Sequence, residues 1–122
     1  MARSTHLVIK LVTGVEDAER VAQAFSVAST ALAAGVDVSF WLAGDAAWLS
    51  LPGKAEEFSL PHSAPLNEML AALIANATVT LCTQCAVRRN IKDGDQISGI
   101  RIAGSATFVE EITNEATQAL VY

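Results

Sequence analysis

HLVIKLVTGVEDAERVAQAFSVASTALAAGVDVSFWLAG, residues 6–44, sets two strand-like runs on either side of a helical one. Residues 6–12 are β-branched and almost continuously apolar, as a strand covered on both faces should be. Thr13-Gly14-Val15-Glu16 then has the S/T-x-x-E spacing of a capping box. Val21, Phe25, Ala28 and Leu32 recur at helical spacing and Gly35 is a natural stop, which predicts a helix over 16–34. Glu16 and Arg20 stand four apart, the spacing of a surface ion pair. VDVSFWLAG (36–44) reads as the second strand. Two neighbouring strands joined through a helix need a crossover connection, which makes them parallel.

The alternation continues to the C-terminus. DAAWLSL (45–51) reads as a short helix broken by Pro52-Gly53, and KAEEFSLPHSAP (54–65) is the longest irregular stretch. Leu66, Met69, Leu70, Leu73 and Ile74 form an apolar stripe that predicts a helix over 65–76. TVTLC (78–82) is a third strand, and the segment after it opens a short helix at about 84–90. After the polar loop KDGDQISG come a strand IRIAG (100–104), a helix over 105–115 marked by Phe108, Val109 and Ile112, and a last strand QALVY. The expected architecture is a single α/β domain over residues 1–122, with a five-stranded, mainly parallel sheet and helices on both faces. In such sheets the site lies at the carboxyl ends of the strands. Here those ends are Thr13-Gly14, Ala43-Gly44-Asp45, Cys82–Cys85 and Gly104-Ser105.

Composition narrows the function. The chain has 122 residues, enough to bury roughly 65% of its unfolded surface without a disulfide. Apolar residues make up 52% and charged residues 17%, which excludes a disordered chain. The net charge of -5 argues against nucleic acid and anionic membranes as partners, since both need clustered Lys and Arg. Lys10 interrupts the opening MARSTHLVIKLVTG, so it is not read as a secretory signal. The most apolar stretch, MLAALIANATVTLC, is too short to span a membrane. The reading is a soluble, cytoplasmic protein, and in that compartment a CxxC pair points to redox, sulfur or metal chemistry.

Both cysteines fall in LCTQCAVRRN (81–90). Cys82 ends the third predicted strand and Cys85 sits in the first turn of the next helix. Unpaired N–H groups and partial positive charge at a helix start favour thiolate, the reactive species. Arg88 and Arg89 add positive charge within about one turn. A second thiol two residues away can resolve a mixed disulfide or persulfide on the first. Two alternatives stand beside this one. Both cysteines are small enough to be plain core residues. A zinc site needs four ligands, and one CxxC supplies two, leaving a subunit-bridging site as the metal version.

CTQCAVRRNI, after an apolar strand and before a polar loop, resembles the cysteine segment of the DsrE/DsrF-like family, which includes DsrE and TusD-type sulfur-relay proteins. The opening VIKLVTGVEDAERVAQAFSVASTALAAGVDVSFWLAGDA resembles the same family in its strand, Gly turn, Ala-rich helix and Gly-Val-x-Val strand. The resemblance implies a three-layer sandwich of flavodoxin-like topology, assembled as a homotrimer or homohexamer. It implies a persulfide carried on the residue matching Cys82 and exchanged with sulfur-donor and sulfur-acceptor proteins. No cofactor and no resident metal are expected. Cys85 matches only members with a second cysteine. Many members have Gly where this chain has Asn90, a residue that tolerates the left-handed conformation better than most.

Other candidates carry two readings each. Gly14 and Asp45 line the strand-end site, and Arg88 and Arg89 stabilise thiolate there. His62, flanked by Pro61 and Pro65, is either an acid/base overhanging the site or a loop residue with a structural hydrogen bond. His6 lies near the wrong end of the first strand. Trp41 and Trp48 either wall a pocket near Asp45 or pack in the core or a subunit contact. Asp93 and Asp95 read as a solvated turn, since the remaining calcium-loop positions are missing. Glu110 and Glu111 read as helix surface. TGVEDAER lacks the Lys of a phosphate loop.

Overall fold

The computed structural model describes residues 5–122. Residues 1–4, the front of the segment weighed as a possible signal, lie outside it. Five strands form one sheet: β1 (His6–Leu11), β2 (Asp37–Leu42), β3 (Thr78–Cys82), β4 (Arg101–Ala103) and β5 (Thr117–Val121). Four helices alternate with them: α1 (Ala18–Ala33), α2 (Leu66–Asn76), α3 (Thr83–Arg88) and α4 (Ser105–Ile112). Every strand pairing is parallel.

The strand order is β4-β3-β2-β1-β5. This corrects the finer expectation of a flavodoxin-like order, which runs 2-1-3-4-5. From β1 to β4 each strand is laid down beside its predecessor in one direction. Right-handed crossovers then leave α1 and α2 on one face. The β4-to-β5 connection returns across the whole sheet to the far side of β1, so α4 lies on the opposite face.

The two faces differ in packing. The α1/α2 face holds the core, where Val21, Ala24, Phe25 and Ala28 of α1 are buried against alternate residues of β1 and β2. Leu66, Leu70 and Leu73 of α2 complete it. Phe25 and Phe40 meet with ring centroids 4.7 Å apart, and burying one such ring stabilises by about 1.5–3 kcal/mol. On the other face, no residue of α4 is fully buried. Phe108 packs edge-on against Trp41 at 5.3 Å between centroids, with the Lys10 ammonium 4.5 Å from the Phe108 ring centre.

Local details depart from the sequence reading in small, explicable ways. The helix expected over 16–34 begins as a 3-10 turn at Val15–Asp17 before α1 proper. Glu16 does reach back, but its Oε1 accepts from the Gly14 N–H at 2.7 Å, and Thr13 Oγ1 is buried with no partner among the described residues. The capping box read at Thr13–Glu16 therefore does not form. Arg20 pairs with Asp17 at 3.4 Å instead of with Glu16, because Gly14 engages the Glu16 carboxylate. The short helix expected over 45–51 is a 3-10 helix, Gly44–Ser50. Asn90 is left-handed with φ 58°, as its match to a family glycine required.

Candidate functional site at the cysteine pair

The site is built where three strand ends meet. β3 is an apolar strand that ends on Cys82, which is also the residue preceding α3. Cys85 lies one turn into α3, and both thiols are buried, at 6% and 8% exposure. Both are free thiols. The Cys82 Sγ–H points to Gln84 Oε1 at 3.6 Å, and the Gln84 side chain in turn lies over Gly104 at the end of β4.

Cys85 is held from the neighbouring strand. The Gly44 N–H, just past β2, donates to Cys85 Sγ at 3.1 Å. Gly44 has φ +51°, and a Cβ there would fall 2.0 Å from the Val12 carbonyl oxygen. Gly14 makes a second close approach, since a Cβ there would fall 2.6 Å from the Asp45 carbonyl oxygen. Two glycines thus let the ends of β1 and β2 close beneath α3.

Arg89 fastens this arrangement. Its Nε and Nη2 donate to Asp45 Oδ1 at 3.1 and 2.7 Å, while Nη1 donates to the Cys85 carbonyl at 3.1 Å. The guanidinium therefore ties the end of α3 to the start of the 3-10 helix instead of aiming at a sulfur. Arg88 is exposed and is not among the groups acting on Cys85. His62 is exposed at φ 62° and faces Glu19, Ser26 and Met69 across a separate cleft of about 210 Å³. The structure thus joins Cys82, Cys85, Gly14, Asp45 and Arg89, and leaves Arg88 and His62 outside.

Burial pushes the Cys85 thiol above its ordinary value. The Gly44 N–H opposes this, the adjacent Cys82 thiol raises it further, and the Arg89 charge lowers it. The sum keeps Cys85 a thiol at neutral pH. α3 has only six residues, so its dipole is short and the direct Gly44 donor is the nearer stabiliser of charge on sulfur. Among the described residues, no group of three or more His, Cys, Asp or Glu side chains is gathered for a metal.

One polar cluster was not legible as such in the sequence. Glu111, expected on the surface, is largely buried under α4 and accepts from Ser39 Oγ at 2.6 Å and Trp41 Nε1 at 3.1 Å. Arg101 pairs with its second oxygen and also donates to Thr80 Oγ1 at 2.6 Å. Burial alone would raise the Glu111 carboxyl, but the Ser39, Trp41 and Arg101 hydrogen bonds, with the Arg101 charge, hold it below the usual range. The cluster pins α4 to the sheet and lies away from the 3-10 helix and Arg89.

The chain is an all-parallel α/β domain whose carboxyl edge closes around a buried cysteine pair, with a backbone donor on one sulfur. The sequence model of the DsrE/DsrF-like family matches residues 6–121, and the chain belongs to that family. The crystal structure of the ychN protein from E. coli shares the fold, with a TM-score of 0.68 at 18% identity, over 98% of this chain and 99% of that one. No curated protein matches the sequence. No described helix is long and apolar enough to cross a membrane.

Proposed function

We propose that the protein is a sulfur carrier in which Cys82 holds a sulfane sulfur as a persulfide. The Cys82 thiolate attacks the outer sulfur of a donor persulfide. The donor's S–S bond breaks, its thiolate leaves, and a new S–S bond forms on Cys82. An acceptor thiolate then attacks that outer sulfur and Cys82 departs as thiolate, so no net oxidation occurs. Cys85, held as a thiol beside it, supplies a proton or hydrogen bond to the departing sulfur.

The observation that carries this reading is the division of labour between the thiols. Cys82 closes the strand at the carboxyl edge, while burial and its neighbour keep Cys85 protonated. Family membership supports the same assignment. The partners proposed are sulfur-donor and sulfur-acceptor proteins in a reducing compartment such as the cytoplasm, and a homotrimer or homohexamer of this chain. Intact mass before and after incubation with a small persulfide donor tests the chemistry. A reductant-sensitive gain of one sulfur atom, absent in Cys82→Ser, is expected; equal gain in that variant rejects it.

A second reading rests on the same closeness. Cys82 precedes α3, Cys85 lies one turn into it and both are free, so mild oxidation could join them with loss of two hydrogens to the oxidant. The same mass measurement separates that thiol–disulfide couple from the carrier.

A further inference from the structure

We propose that the cleft beside Trp48 is a binding site for a small organic cation with an apolar body. The cleft measures about 650 Å³, inside the range of roughly 300–1,000 Å³ usual for small-molecule sites. Trp48 and Leu49 of the 3-10 helix form one wall, with Leu51, Phe58 and Val15 around them. Trp48 is 41% exposed and Val15 64% exposed. Two large apolar side chains are thus offered to solvent at the mouth of a concave surface, where a ligand gains by covering them.

The charges at the rim choose the ligand's sign. Glu16, Asp45 and Glu57 line the cleft against a single cation, Lys54. Lys54 stands 3.7 Å from Glu57, and Asp45 is engaged by Arg89. Glu16 takes a hydrogen bond from the Gly14 N–H, and among the described residues no lysine or arginine pairs with it. A cation beside the indole face gains from the ring quadrupole and from this carboxylate together, whereas an anion meets repulsion. Asp45 lines the cleft and also belongs to the cysteine site through Arg89, so an occupant sits beside that site and shares one wall residue with it. The inference does not depend on persulfide chemistry.

The test is titration with 4-phenylbutylammonium, 4-phenylbutyrate and 4-phenylbutanol at neutral pH, by calorimetry and tryptophan fluorescence. Trp41 is 1% exposed, so a ligand-dependent change in emission reports Trp48. Saturable binding of the ammonium is expected, about tenfold tighter than the carboxylate and weakening as salt is raised. Glu16→Gln should weaken it roughly threefold and Trp48→Ala roughly fivefold. Glu16→Gln keeps an acceptor for the Gly14 N–H, so it separates lost charge from lost fold. Equal affinity for all three probes would mean an apolar groove without charge selection and overturns the proposal. So would no binding, or binding that appears only at protein concentrations where copies dissociate.

Discussion

The backbone N–H of Gly44 points at the sulfur of Cys85 from 3.1 Å, across forty-one positions of sequence. That contact depends on Gly44 holding φ +51° with no Cβ, because the Val12 carbonyl occupies the space. Gly44→Ala should therefore destabilise the fold by about 2 kcal/mol or more, through left-handed strain plus displacement of β1. Denaturant unfolding measures this. Gly35→Ala provides the contrast: it is also left-handed, but nothing lies within 4 Å of its Cβ, so it should cost less.

Cys85 titration should respond in opposite directions to its two neighbours. Burial, the largest influence, and Cys82 raise its pKa, while Arg89 lowers it. In Cys82→Ser the midpoint of Cys85 alkylation against pH should move down from the wild-type value. In Arg89→Gln it should move up. The linked stability term has a definite sign: the raised folded value stabilises fully below the unfolded thiol pKa and is lost as pH rises through the folded one.

Arg89 and Asp45 also make a mechanical prediction. Asp45 is half exposed, so the ion pair itself contributes at most about 1 kcal/mol. Arg89→Lys keeps the charge but cannot hold Asp45 and the Cys85 carbonyl together. Hydrogen exchange of the α3 amides should speed up in this variant while global stability changes little. Unaltered exchange would show that α3 is held by packing alone.

On the opposite face, Glu111 should report acid sensitivity. Its carboxyl is held below the usual range, so it stabilises the fold above the unfolded carboxylate pKa, and that stability is lost as pH falls through the lower folded value. Glu111→Ala leaves the buried Ser39 and Trp41 donors unmet and should cost about 1–3 kcal/mol at neutral pH. Urea unfolding at neutral and acid pH should show the gap between variant and wild type closing as pH falls.

What the sequence reveals follows from how local each signal is. Continuous apolar runs at 6–12 and 78–82, separated by helical stripes, announce parallel strands, and a CxxC directly after one of them marks the candidate site. Asn90 is legible too, because it stands where the family has glycine and tolerates the left-handed conformation, whereas nothing in the sequence marks the left-handed Ala116. Contacts that join distant segments are not legible. The Gly44 donor, the Asp45 grip that turns Arg89 away from sulfur, and the burial of Glu111 against a strand seventy residues earlier all depend on strand order. Strand order is set by a crossover whose length permits more than one landing place.

The most direct measurement concerns where sulfur resides. The protein is incubated with a persulfide donor, blocked with an alkylating reagent, and digested, and the peptide containing both cysteines is fragmented in a mass spectrometer. The account predicts the additional sulfur on Cys82, with Cys85 carrying only the alkyl group and Cys85→Ser still loaded. Sulfur found on Cys85, or on neither residue, would contradict it.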